Sequence, residues 1–249
     1  MKVLVLSDAH SNIDALHAVE RDAGSFDRLL FLGDMVDYGF YPREVIRWMR
    51  ERGALAVLGN HDRHLLELAD QKTPVPADPS QAESFALNNL AQMDGEDLDY
   101  LRAIPEERVE AIDGIPYYMA HTYRPGDDQA LLKRVALYES AALFEEVWRT
   151  KVGPASPDTP RRILYGHTHQ CMALIVRRNA MLLNPGSLSY RLGPDGCCKG
   201  ADYMLIQDGE VRLRHTDYEA DALYRQVEQS GLQGNERLVG LSFYGREAL

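Results

Sequence analysis

The sequence predicts an α/β protein with two packed sheets and helices on their outer faces, in one domain, and three observations carry this prediction. Strand-like and helix-like runs alternate over residues 2–58, the order that gives parallel strands with right-handed crossovers. Hairpin signals take over later, at Asp113-Gly114 and Asp208-Gly209. Five apolar runs stop at residues of metal-ligand type, as strand ends of α/β proteins do where they build a site.

In chain order, residues 2–7 read as a buried strand, and Asn12 is placed to cap a helix over about 13–23, where Ile13, Leu16 and Val19 fall at helical spacing. A strand at about 28–32 follows. Pro42 then opens a helix whose apolar face is Val45, Ile46, Trp48 and Met49, and Gly53 stops it before a strand at 54–58. Residues 61–104 have helical character broken by the prolines between Thr73 and Pro79, and they read as a covering layer. Strands at about 107–112 and 115–120 form a hairpin, and a helix at about 136–150 precedes the loop Gly153 to Pro160. A strand ending at Leu164 is followed by others at about 171–177, 180–184, 201–208 and 210–216, then by a helix over about 218–230. The last twenty residues are ambiguous. The segments at about 70–104 and 122–160 are the expected covering loops of a single domain spanning 1–249.

At 249 residues, 45% of them hydrophobic, the chain is long enough for a sizeable core. No apolar run approaches the roughly 20 residues needed to span a bilayer. The apolar stretch at the start, Val3 to Leu6, is too short for a secretory signal, so a cytoplasmic protein is expected, with Cys171, Cys197 and Cys198 as reduced thiols. A net charge of −11 argues against broad nucleic-acid binding, which depends on many Lys and Arg contacts to phosphate. It is compatible with phosphate chemistry if divalent ions supply the local positive charge.

The five run ends are Ser7-Asp8-Ala9-His10, Gly33-Asp34, Gly59-Asn60-His61-Asp62, Ala120-His121 and Gly166-His167-Thr168-His169. Asp8 and His10, one residue apart, point to one side in extended backbone and can share an ion. Asp34 can bridge two ions with its two carboxylate oxygens, Asn60 can offer an amide oxygen, and His121, His167 and His169 can complete two coordination spheres. A nitrogen and oxygen ligand set without thiolate suits Mn, Fe, Zn, Co or Ni better than Ca or Mg. Two such ions ~3.5–4 Å apart can activate a bridging water and clamp a phosphoryl oxygen for in-line attack. His61, adjacent to Asn60 and not needed as a ligand, is suited to protonate the leaving oxygen.

Together these motifs, in this order and spacing, resemble the calcineurin-like metallophosphoesterases, specifically their small bacterial and archaeal phosphodiesterase-like branch. The resemblance spans Asp8 to His169, with Asn184-Pro185-Gly186-Ser187 matching the branch's loop after the site. It implies a four-layer α/β/β/α sandwich of two mixed β-sheets flanked by helices. It also implies one metal on Asp8, His10, Asp34 and His169, and a second on Asp34, Asn60, His121 and His167. His61 becomes an acid or phosphate contact oriented by Asp37. Tyr38 stands where the superfamily's protein serine/threonine phosphatases have arginine, which disfavours a phosphoprotein substrate.

The expected function is therefore hydrolysis of a phosphodiester or small phosphomonoester. The alternatives are a dinucleoside polyphosphate hydrolase, a phosphatase and, in another class, a non-catalytic protein-binding scaffold. Tyr123, Arg124 and Arg191 are candidate substrate contacts, Arg being able to bind phosphate through two parallel bonds. His17, His64 and His215 are expected to be structural, Asp62 a local helix cap, and Trp48 and Trp148 core.

Overall fold

The computed structural model describes residues 1–122, 137–156, 158–189 and 200–244. One five-stranded sheet runs in the order β10-β9-β1-β2-β3, with β1 Lys2–Leu6, β2 Arg28–Phe31, β3 Leu55–Ala56, β9 Ala201–Gln207 and β10 Glu210–Thr216. The other runs β4-β5-β6-β8-β7, with β4 Glu107–Ile112, β5 Ile115–Ala120, β6 Arg161–Leu164, β7 Met172–Arg177 and β8 Ala180–Asn184. β1, β2 and β3 are mutually parallel, as are β5, β6 and β8, while β9 joins β1 antiparallel and makes the first sheet mixed.

Alternation along the strands sorts the apolar side chains into layers. Val3 and Val5 of β1 face the second sheet, where they meet Tyr117, Met119, Leu164 and Leu183 in the core between the sheets. Leu4 and Leu6, on the opposite face, pack under α1 (Ile13–Ala23) and α2 (Pro42–Glu51). The second sheet's outer face is covered by α6 (Leu137–Lys151), whose Phe144, Val147 and Trp148 meet Tyr118, Ile163 and Leu182. This is the α/β/β/α sandwich that the resemblance implies.

Local rules set the boundaries. The Asn12 side chain accepts the Ala15 amide at 3.1 Å and starts α1, and Pro42 opens α2. The strand expected over 54–58 is only two residues long. Val57 N–H still reaches Phe31 O, but Leu58 N–H turns away to Pro105 O, which takes the chain out of the sheet. The helical segment after residue 60 resolves into α3 (Asn60–Asp70), α4 (Phe85–Gln92) and α5 (Gly95–Arg102). α7 (Asp221–Gln229) and α8 (Gly234–Tyr244) close the described chain, so part of the ambiguous final stretch is helix. No helix among the described residues is long and apolar enough to cross a membrane.

Phe144 is 2% exposed, stacks on Trp148 at 5.9 Å and lies under the Arg161 guanidinium. Replacing it with Ala is expected to lower stability by about 3–5 kcal/mol, the usual cost of emptying an aromatic core position. A urea titration of the two proteins checks this.

Candidate metal centre

The C-terminal ends of β1, β2, β3, β5 and β6 converge, and each continues into one of the motif loops. The approach of these loops is close. Gly33 has φ +92°, and a Cβ there would sit 2.6 Å from His121 Nδ1; a Cβ on Gly59 would sit 2.0 Å from Asp34 Oδ1. Neither position has room for a side chain.

Two groups of ligand-type atoms result, Asp8-His10-His169 and Asp34-His121-His167, each with its atoms within 4.8 Å of one another. Asp8 and His10 reach their group from left-handed backbone, φ 54° and 47°, where extended backbone was the expectation. Asp34, Asp37, His167 and His169 share that conformation, with φ between 54° and 70°. Asp, Asn and His occupy this region more readily than other L residues, so the turns that aim these side chains also suit them. Even so, each costs roughly 1–3 kcal/mol, which the surrounding hydrogen bonds offset.

Asp34 lies between the groups. Its Oδ2 is 3.1 Å from His121 Nε2 and 4.0 Å from His10 Nε2, whereas Oδ1 accepts the His61 backbone N–H at 2.9 Å. Oδ2 is thus turned to the space between both groups, while Oδ1 is also held by the first turn of α3. Burial opposes the charge on Asp34, but His121 and His61 outweigh it and hold its pKa well below the usual carboxylate range. Asn60 Oδ1 is 2.9 Å from both His121 Nε2 and His167 Nδ1.

The donor set fits a cation. His121 Nδ1 donates to Leu32 O at 2.6 Å, which turns its Nε2 toward Asn60 Oδ1 and Asp34 Oδ2. Burial disfavours the charged ring, but the Asp34 carboxylate overrides this and pushes the His121 pKa up to about 9; a cation held there would take the place of the Nε2 proton. In the other group, His10 Nε2 and His169 Nε2 face each other at 3.3 Å, and the buried Asp8 Oδ1 lies 3.1 Å from the same His169 nitrogen. None of these Asp and His residues is more than 9% exposed, so a positive ion is the simplest compensation for so many buried acceptors.

At the edge of the centre, His61 Nδ1 is 2.7 Å from Asp37 Oδ2, leaving the other ring nitrogen available toward a ligand. Burial disfavours the charged imidazole; the Asp34 charge and the Asp37 hydrogen bond override this and push its pKa up to about 9. A cleft of about 420 Å³ borders the centre through Asn60 and His121 and extends to Arg63, Glu107, Tyr118 and Lys151. His17, His64 and His215 are exposed and belong to neither group, and Trp48 and Trp148 are core. Tyr123, Arg124 and Arg191 lie outside the described residues.

Several residues position the site in ways that the sequence reading did not assign to them. Asn89 of α4 accepts Ser11 Oγ at 2.5 Å and the Asp37 N–H at 2.9 Å, and donates to Gly39 O at 2.8 Å. The segment expected only to cover thus fixes the loop carrying Asp37; the paired Asn88-Asn89 among apolar neighbours was the available signal. Ser187 and Ser189 donate to the carbonyls of Asp8 and Ala9, and Asn184 to that of Gly166. Asp62 does cap α3 through Gly59 N–H, but it also accepts the amides of Asp34, Met35 and Val36.

Two mixed sheets thus carry two buried Asp/His groups at their strand ends, the architecture of an α/β/β/α protein with a site built for cations. The chain belongs to the calcineurin-like phosphoesterase superfamily, whose domain profile matches residues 1–202. An uncharacterized protein of Methanocaldococcus jannaschii is 41% identical over 66 residues, which is 26% of this chain and 27% of that protein. A symmetrical bis(5'-nucleosyl)-tetraphosphatase of Shewanella loihica is 27% identical over 94% of this chain and 89% of its own length. Among solved structures, a metallophosphoesterase from Sphaerobacter thermophilus superposes with a TM-score of 0.71 at 22% identity, covering 97% of this chain and 98% of that one, which shows the shared fold.

Asp62→Asn keeps the size of the side chain but places an NH2 group against backbone N–H donors. The expected result is a loss of about 1–3 kcal/mol in stability together with weaker metal retention. Thermal unfolding and elemental analysis of the same preparations check both parts.

Proposed function

We propose that the protein is a dinuclear metal-dependent phosphoesterase that hydrolyses a small phosphate ester. The observation that carries this reading is the placement of the His61–Asp37 pair beside two Asp/His groups that share Asp34 Oδ2. One ion is assigned to Asp8, His10, Asp34 and His169, and the other to Asp34, Asn60, His121 and His167. Mn, Fe, Zn, Ni and Co are the metals suited to that set. When bound, two such ions supply positive charge to the phosphoryl oxygens and acidify a water that serves as nucleophile.

The chain's own groups do the rest. The left-handed turns and the Asp62 amide bonds hold the ligand atoms in place before substrate arrives, so little reorganisation accompanies reaction. His61 in its protonated form gives a proton to the leaving oxygen, and Asp37 keeps its ring oriented and charged. With cations held beside Asp34, that carboxylate would lend less support to the His61 charge, and Asp37, 2.7 Å from the His61 ring, would be its chief support. The cleft of about 420 Å³ is of small-ligand size. The full-length similarity to a bis(5'-nucleosyl)-tetraphosphatase makes dinucleoside polyphosphates one substrate class to test alongside diesters and monoesters. A cytoplasmic site of action is part of the same proposal.

The first experiment is hydrolysis of bis-p-nitrophenyl phosphate, p-nitrophenyl phosphate and a diadenosine polyphosphate by metal-stripped protein reloaded with each metal in turn. Cleavage restored by metal is expected; its absence in protein shown to hold two ions sinks the reading in favour of a scaffold. His61→Ala is expected to retain both metals while turnover falls by roughly 10²–10⁴. Loss of metal in that variant would reassign His61 as a ligand. Because the active form of His61 is protonated, kcat is lost as pH rises through its pKa, and Asp37→Asn should move that alkaline limb to lower pH. A pH profile of kcat at saturating metal measures the shift.

A further inference from the structure

Beside the metal centre stands an aromatic pair that the family motifs do not include. Tyr38 and Phe243 have ring centroids 5.2 Å apart, inclined at 47°. Tyr38 lies 4.6 Å from the His61 ring and 5.3 Å from His10; Phe243 lies 5.7 Å from His10 and 6.3 Å from His169. Phe243 is carried by α8, outside the family match at residues 1–202.

The position of α8 is closely determined. Tyr244 Oη donates to Tyr38 O at 2.9 Å, and Glu236 accepts the first amide of α4, that of Phe85, at 3.1 Å. Gly240 lets the helix pack so near that a Cβ there would be 2.7 Å from Phe85 Cζ. Phe85 and Tyr244, members of one core cluster, are fully buried. Tyr38 and Phe243 are only half-buried, although they sit next to buried ligand-type groups. Aromatic area held rigidly at the rim of a polar centre is a surface for stacking.

We propose that Tyr38 and Phe243 form a shelf that receives the flat, aromatic end of the ester's leaving group, for which a nucleobase is the biological case. The inference rests on the phosphoesterase reading above. In an in-line reaction the leaving oxygen departs on the side of its proton donor, His61, and the Tyr38 ring lies 4.6 Å from the His61 ring. Tyr38 offers a π-face and no positive charge at this point, so what it can select is the group attached to the phosphate.

The test is calorimetric binding of phenylphosphonate and methylphosphonate to the Mn-loaded full chain, in wild type, Phe243→Leu and Tyr38→Leu. Both variants keep apolar bulk and remove the π-face. Wild type is expected to prefer phenylphosphonate by about tenfold, and each variant to bring the ratio close to one, as stacking contributions of this kind predict. No preference in wild type, no binding of either phosphonate, or a parallel loss of both affinities at an unchanged ratio in the variants would each overturn the shelf. The parallel loss would make the pair a packing support for His10 and His61. Hydrolysis without aryl preference removes the shelf alone; aryl preference without hydrolysis of any ester removes the phosphoesterase reading and leaves the shelf.

Discussion

The carboxylate of Asp62 is the constraint on which the rest of the centre depends. Its two oxygens collect four backbone amides, one from Gly59 in its own helix cap and three from the turn Asp34-Met35-Val36. That ties the loop leaving β2 to the loop leaving β3 at a point where the sheet ladder has already ended. With the two loops joined, Asp34 is brought to the first amides of α3, and one of its oxygens is left for the space between the two ligand groups. Burial and the nearby Asp34 charge push the Asp62 pKa up to about 6, while the amides of Gly59 and Val36 act in the opposite direction.

A similar division between scaffold and site extends across the second sheet. The core between the sheets brings β1 and β2 against β5 and β6, and polar side chains then link the loops beyond the strand ends. Asn184, Ser187 and Ser189 carry out that linking from one side, Asn89 from the other. Their partners are mainly backbone groups of the motif loops. The Asp and His side chains supply ligand-type atoms; these four residues hold the loops that aim them.

How much of this was legible in the sequence follows from the range of the forces involved. Helix α1 and strands β4, β5, β8 and β10 lie at the boundaries that local periodicity and turn chemistry indicate, because caps and hairpin turns act within a few residues. The Asp and His residues of the two groups were visible as apolar runs ending in ligand types. Their left-handed backbone was not, since it comes from how neighbouring strand ends crowd one another. Asn89 and Phe243 were missed for the same reason: one holds the backbone amide of Asp37, 52 positions earlier, and the other touches rings from α8. α8 itself, with Leu238, Val239, Leu241, Phe243 and Tyr244 interrupted by Gly240, has no single apolar stripe to announce it.

The wide separation of the ligand residues along the chain also bears on the order of assembly. His10 and His169, whose ring nitrogens meet at 3.3 Å, are 159 residues apart, and Ser189 reaches back 180 residues to Ala9. Contacts of such range form late in folding, after the loop-closure entropy between them has been overcome. During synthesis, the ribosome therefore releases Asp8 and His10 long before their partners exist. A half-made chain holds Asp8, His10, Asp34 and His121 but lacks His167 and His169, so neither Asp/His group is complete until β6 has been made, and an ion bound there would stabilise only that late state.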